Sequence, residues 1–573
     1  MRSYRRFGTA LALALLSVSS ACASVPRGSE PVAVRHVDPS DVAGPPVAIQ
    51  VVPPGPTKHM SSRDVVNGFL QASSYGVDVR HQVARGFLTP KAAASWQDTA
   101  QSIVYNQPLV DDQAGGVVKV SAHQIATVTR DGAYQSQVGQ VVVHFSLTKV
   151  KGEWRIENPP PGIYVRQSDF IQNFHSADVY FLNSSGTAVV PDPRYFEVPT
   201  TAMANRLVQA LISGPSQWLM PAVTTDIPKK ATLRTNVVDD SPTVSVDLNG
   251  LGTGNMGRSQ LRGMSAQIVF TLAKYNSSSV RILNEGQPLV VPGVGSEQQE
   301  SDWQSYDAEA LPAEAPLYFV QQGSAWSGAG KAVRGYAGKN YYKLNSVAVP
   351  LDGKKMAGIS HRKTTDRLFV GPMGGTLADR FDAQRLTTPT WGAQSSEVWT
   401  VRDGTDVIRV PLAAEAQAQM VASPEVSKVG PVSELKLSRD GTRVALIGNG
   451  GRLYLARVSR TANSLTIDGL RLLTTQTHFT DVTWASGDEL VGLAPNGTGT
   501  RTPWDISVDG SSRQAEGIDN LPAQPDSVAA ASDRLTVVSS KNELWYYDRA
   551  TWSKVTASGN SVTLRGTAPA YPD

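Results

Sequence analysis

Between Arg63 and about Arg166 the apolar residues fall first at helical and then at strand spacing. Val65, Val66, Phe69 and Leu70 recur every three or four positions after Ser61-Ser62, a pair suited to capping a helix. Val83, Phe87 and Leu88 predict a second short helix ending near Thr89-Pro90. Alternation follows in Val118-Lys119-Val120 and from Val141 to Leu147, and Trp154-Arg155-Ile156 closes the set. From about Phe170 to Gly295, strands and helices interleave. Val179-Tyr180-Phe181-Leu182 reads as a strand, and Pro199 suits the first turn of a helix carrying Met203, Leu207, Leu211 and Ile212, stopped by Gly214-Pro215. Leu233 to Val238 and Val244 to Leu248 read as strands, Arg258 to Tyr275 as a helix, and Val280 to Leu283 as a further strand.

The last part repeats. Leu351-Asp352-Gly353 precedes a strand at Met356 to Ile359, and Ser438-Arg439-Asp440-Gly441 precedes one at Val444 to Ile447. Between them Trp391 and Ser395-Ser396 lead into Val398 to Val401; beyond them Trp484 to Asp488 leads into Leu490-Val491, and Ser532-Asp533 into Leu535 to Val538. A tight turn joining an inner strand to the next, repeated every ~40–50 residues, is a propeller-blade signature. Five units are visible. Leu317 to Gln321 and Val562-Thr563-Leu564 can together complete a sixth, closing the ring by mixing both ends of the domain, so the count stays at five or six.

The first residues have another pattern. Arg2, Arg5 and Arg6 are followed by an apolar run, Phe7 to Val18, too short to span a bilayer as a permanent helix, and then by Ser19-Ser20-Ala21 and Cys22. This predicts a signal peptide over 1–21. Phe7 lies one place too early for a twin-arginine motif, which favours Sec export. Cys22 is the one cysteine, so it has no internal disulfide partner and is idle, reactive or modified. Its place directly after the apolar run favours modification, the alternative being an ordinary secreted protein with a free thiol. Pro26, Pro31, Pro39, Pro45, Pro46, Pro53, Pro54 and Pro56 make 22–62 an extended tether. Residues 296–316 carry Glu297, Glu300, Asp302, Asp307, Glu309 and Glu314 without one Lys or Arg, and read as a solvated acidic linker rather than a docking strip.

Composition narrows the function. Loss of residues 1–21 removes three of the 53 basic residues and balances the remainder against 50 acidic ones. Bulk charge therefore gives nucleic acid no attraction. Gly252-Thr253-Gly254-Asn255-Met256-Gly257 is a full G-x-G-x-x-G between a strand and a helix, with Glu285 beyond the next strand, as in dinucleotide sites. The preceding strand alternates in polarity, unlike a buried parallel strand, so the loop reads as structural. Ser433 to Lys436 and Ser146 to Lys149 match S-x-x-K, but in strand-like sequence, where the two side chains face apart. There is no nucleophile elbow and no H-E-x-x-H, and the eight histidines are scattered. No catalytic residue, metal ligand or cofactor is expected.

Several of these patterns resemble known families. Ser20-Ala21-Cys22 resembles a bacterial lipobox, with Ser19 where leucine is usual, which implies acylation of Cys22 and stable anchoring at about 0.8 kcal/mol per buried CH₂. Helices followed by a curved sheet ending in Gly152-Glu153-Trp154-Arg155-Ile156 resemble the NTF2-like fold over 63–166. Without a His, Asp or Glu cluster along its strands, its cone reads as a core. Ala210-Leu211-Ile212-Ser213-Gly214-Pro215, ending the first helix of 170–295, resembles the GerMN domain. The fold class is thus multidomain, two α+β domains (NTF2-like and GerMN) followed by an all-β propeller over 317–573. This order after Cys22-Ala23-Ser24-Val25-Pro26 resembles the actinobacterial LpqB lipoproteins over nearly the whole chain.

The resemblance implies a cell-membrane lipoprotein on the extracytoplasmic face and a non-catalytic role. LpqB-type proteins are encoded with the MtrA–MtrB two-component system and bind the extracellular sensor domain of the kinase MtrB, influencing MtrA phosphorylation, cell-wall maintenance and division. The competing class is a reader of cell-wall glycan or muropeptide at the propeller's channel or rim. Trp391, Trp399, Trp484, Trp504 and Trp545 would then stack on sugars rather than pack between blades.

Overall fold

Ser61 and Asp64 exchange side chain for backbone N–H at 3.1 and 3.3 Å, and this reciprocal cap starts α1 (Ser62–Ser73). The computed structural model describes residues 53–573, apart from 76–80, 198–201, 241, 277, 313–314, 414–415 and 558–561. Cys22, the signal peptide and the tether up to residue 52 lie outside the described residues. The tether's last residues rest on the first domain: Pro53 is buried and the His59 N–H donates to Glu153 at 2.8 Å.

α1 buries Val65, Val66, Phe69 and Leu70 in one core with Val118, Val120 and Phe145. After α2 (Gln82–Arg85), Thr89 does not end a helix. Its hydroxyl caps the Ala92 N–H and Pro90 opens α3 (Pro90–Ser95). The sheet comprises β1 (Gln101–Gln113), β2 (Val117–Thr129), β3 (Tyr134–Val150), β4 (Glu153–Ile156) and β5 (Ile163–Arg166), ordered β4-β3-β2-β1-β5, with β5 parallel to β1. β1 escaped the sequence reading because two register shifts, one spanning Pro108, break its alternation.

α4 (Gln167–Asn173) packs Phe170 into the first domain's core, and the second domain follows with a long hairpin of β6 (Phe174–Asn183) and β7 (Val189–Glu197). Pro191 and Pro193 masked β7 in the sequence, and an edge strand tolerates them. α5 (Met203–Ser213) stops at Gly214 with φ +95°, and β8 (Val223–Thr224) joins β6. The expected strand Leu233 to Val238 is two pieces, β9 (Thr232–Leu233) and β10 (Val238–Asp240). Between them the chain turns to α5, where the Val237 N–H donates to Asn205 at 3.2 Å. β11 (Thr243–Asn249), α6 (Arg258–Asn276) and β12 (Ser279–Asn284) form a parallel strand–helix–strand unit, flanked by β13 (Gln287–Pro288) and β14 (Glu297–Gln298).

The acidic linker is not a free connector. β14 pairs with β12, and the turn Glu300–Tyr306 buries Trp303 completely, with the Arg262 guanidinium 4.9 Å from its ring centre. Burying one indole outweighs the linker's preference for water.

Among the described residues, six four-stranded antiparallel sheets follow as a propeller. Blade I joins Tyr318–Gln321, Ser324–Ser327 and Lys331–Ala332 to the far end of the chain, Thr567–Ala570. Closure thus mixes both ends of the domain, as expected, but through Thr567–Ala570 rather than Val562 to Leu564. The inner strands of blades II to VI are Ser346–Ala348, Thr390–Trp391, Glu434–Leu437, Asp481–Trp484 and Ser527–Ala529.

Candidate functional site

The second domain sits on turns of blades IV and V of the propeller. Arg443, just after Ser438-Arg439-Asp440-Gly441, is almost wholly buried. It donates to the Gly487 carbonyl at 3.0 Å in the equivalent turn of blade V and to the Pro191 carbonyl of β7. Asn183 of β6 donates to the Asp440 carbonyl at 3.1 Å. Trp218 donates to the Gly469 carbonyl at 2.8 Å beneath the Arg471 guanidinium, 4.0 Å from its ring centre. Burial holds Arg471 down to about 10. The acidic linker joins in: Glu309 pairs with the buried Arg439 at 2.9 Å and accepts from Ser532 at 3.2 Å.

The first domain is tied to the second similarly. Arg194 of β7, fully buried, bridges Asp192 at 2.6 Å and Asp131 of the first domain at 3.2 Å, and donates to the Gly214 carbonyl at 3.2 Å. A buried arginine with several fixed acceptors sets a relative orientation, because its planar fork matches only one arrangement. The three domains are thus held as one body.

In the cleft between the first two domains, of about 720 Å³, His81 meets Asp98 through Nδ1 at 3.1 Å and faces Glu197 through Nε2 at 3.8 Å. Arg85 reaches the same Asp98 oxygen at 3.0 Å. Burial alone would push His81 down, but Glu197 and Asp98 together hold it above its ordinary 6.5. Burial would raise Asp98, but His81 and Arg85 hold it below its usual value. Sequence reading missed this trio because positions 81, 98 and 197 share no spacing. The core reading of the cone still holds for the sheet interior, since the trio lies at the domain junction.

The propeller channel is nearly closed. Lys436 pairs with Glu434 at 3.1 Å, and the Asp573 carboxylate accepts from the Thr390 hydroxyl at 2.9 Å. The cavity there is about 40 Å³, the volume of two or three waters. Trp391, Trp399 and Trp484 are buried, and Trp484 donates to the Lys436 carbonyl at 3.1 Å. The half-buried Trp504 and Trp545 are covered by Arg513 at 5.0 Å and Lys554 at 5.2 Å. All five pack within the blades rather than offer bare ring faces.

The glycine loop has dinucleotide topology without its packing. β11 and β12 are parallel across α6, although β11 carries polar residues; Asp247 is buried on Arg234 at 2.8 Å and the Gly286 N–H at 2.9 Å. In dinucleotide folds the glycines permit close backbone and helix approach. Here a Cβ at Gly252, Gly254 or Gly257 would meet nothing within 4 Å, and of these only Gly252, at φ +63°, adopts the left-handed backbone. We expect Gly254→Ala to change stability by less than about 1 kcal/mol and the protein to show no saturable NAD or NADP binding; calorimetric titration and a melting curve check both.

Three family models match the chain in series. The "Lipoprotein LpqB, N-terminal domain" covers residues 55–171, "Sporulation and spore germination" 178–290, and the "Lipoprotein LpqB beta-propeller domain" 321–572. Relatives named "Lipoprotein LpqB" match nearly end to end. That of Rhodococcus opacus (strain B4) is 29% identical over 93% of this chain and 92% of its own. That of Thermobifida fusca (strain YX) is 26% identical over 99% of each, and that of Mycolicibacterium smegmatis 28% identical over 85% and 86%.

Proposed function

The chain belongs to the LpqB lipoprotein family, and from that premise we propose that it is a lipid-anchored, extracytoplasmic and non-catalytic accessory of an MtrB-like sensor kinase. Its acyl chains sit on Cys22. The observation that carries the reading is the clasp. The second domain is clasped to blades IV and V and the channel is filled by side chains, so the outer surface of a rigid body is what a partner meets. Rigid surfaces bind with little loss of conformational freedom. Muropeptide binding in the channel is disfavoured, because a ligand of that class needs about 300–1,000 Å³ and the channel holds about 40 Å³.

Anchoring protein and kinase in one membrane raises their effective concentration, so a modest intrinsic affinity suffices. Cys22→Ala tests this arrangement. We expect the variant to leave the washed membrane fraction and, at equal abundance, to lose its influence on phosphorylation of the cognate response regulator. Retention in washed membranes would mean that another part of the chain anchors it.

A further inference from the structure

Between blades V and VI a groove of about 720 Å³ opens beside the turns Trp484 to Asp488 and Ser532-Asp533. Four carboxylates line it, those of Glu489, Asp505 and Glu516 from blade V and that of Asp533 from blade VI. Glu516 is only 8% exposed. Its Oε1 accepts from the Thr536 hydroxyl at 2.6 Å, while Oε2 is buried without a hydrogen-bond partner. Among the described residues none of the three from blade V forms an ion pair. The other charged groups on the groove are Arg534 and Arg549, and Arg534 turns towards the linker, donating to the Pro312 carbonyl at 3.1 Å.

We propose that this groove binds a protonated organic amine, the alkylammonium of a lysine-type side chain, with Glu516 Oε2 as the buried acceptor and Glu489 and Asp505 as flanking carboxylates. An unpartnered buried carboxylate oxygen is unfavourable unless something donates to it. An ammonium carries three donors and no acceptor, which suits a wall of acceptors. A metal ion suits it less, because among the described residues no three His, Cys, Asp or Glu side chains converge as ligands. The volume favours a cation on an organic stem, since grooves of this size hold ligands of many atoms. This site is independent of the kinase reading.

The same groups make binding depend on pH. Burial, with smaller contributions from Asp505 and Glu489, pushes Glu516 up to about 8; burial, then Asp505 and Asp488, pushes Glu489 up to about 7. Burial also raises Asp505. At neutral pH the groove therefore holds protons. An arriving ammonium displaces them, so binding releases protons and tightens as pH rises.

The test titrates full-length protein in detergent with Nα-acetyl-lysine amide, with cadaverine, and with Nα-acetyl-norleucine amide as the uncharged control. We expect saturable binding of the amines but not the control, about tenfold tighter near pH 8.5 than near pH 6, with proton release. Tighter binding of cadaverine would identify a free diamine as the source, and tighter binding of the lysine amide a peptide. Glu516→Gln keeps the shape and the Thr536 contact, so it should melt as a folded protein yet bind about tenfold more weakly and lose most of the pH dependence. No amine binding at either pH, unchanged binding in folded Glu516→Gln, or calcium binding there in place of amines would overturn the proposal.

Discussion

Replacing Arg443 by methionine will lower stability by about 3–5 kcal/mol, because it removes one partner from a buried polar junction. The Arg443 guanidinium serves the Gly487 carbonyl of blade V and the Pro191 carbonyl of β7, and lies 3.8 Å from the Asp440 carboxylate. Methionine fills the stem's volume but leaves those acceptors buried and unserved. Asp440 keeps its Ser438 and Thr442 donors, at 2.7 and 2.8 Å, so the turn itself survives. The loss therefore falls on the junction between second domain and propeller. Urea denaturation should show the lowered midpoint, and limited proteolysis should cut first near that junction. Arg443→Lys should lie in between, since one ammonium cannot reproduce the fork. A methionine variant as stable and as protease-resistant as the parent would show that the clasp does not hold the domains.

The second large effect is on pH. Glu516 at about 8, Glu489 at about 7 and Asp481 at about 7 are raised chiefly by burial, and His81 is raised by its two carboxylates against burial. A raised value means that the folded state binds protons more tightly than the unfolded one. These groups contribute stability that is complete below their unfolded values and is lost as pH rises through the folded ones. For the three carboxylates that window runs from about 4 to 8, and for His81 it starts at about 6.5. Glu397 acts in the other direction: burial would raise it, but Arg460 and Arg409 hold it below its ordinary value. Its contribution, like that of Asp98, is lost as pH falls through the lowered values. Thermal stability should therefore peak in mildly acidic buffer and fall by a few kcal/mol towards about pH 8.5. Glu516→Gln should flatten the alkaline limb and melt above the parent there. A midpoint that rises steadily from pH 5.5 to 8.5 would contradict these environments.

Local pattern and tertiary packing divide what was legible in the sequence. The Asp-Gly and Ser-Asp turns revealed the blades because turn chemistry is local and repeats with each blade. α1, α5 and α6 were legible from apolar spacing and from Gly214 as a stop. β1 and β7 were not, since bulges and prolines hide an edge or irregular strand. The linker's acidity pointed to solvent because composition records charge but not the Arg439 that waits for Glu309. The clasp joins Pro191, Asn183 and Trp218 to residues more than 200 positions away, and no spacing rule relates them. His81, Asp98 and Glu197 were invisible for the same reason. The expected lipidation residue, Cys22, rests on sequence alone.

Whether the protein is a kinase partner is decided by calorimetric titration of residues 53–573 with the extracytoplasmic sensor domain of an MtrB-like kinase. Retaining all three domains matters, because removing the propeller would uncover Trp218 and Pro191 and confuse lost contact with lost folding. Saturable binding of micromolar strength that added muropeptide does not displace is the expected result. Absence of binding at high concentration, together with saturable muropeptide binding to the same protein, would contradict it.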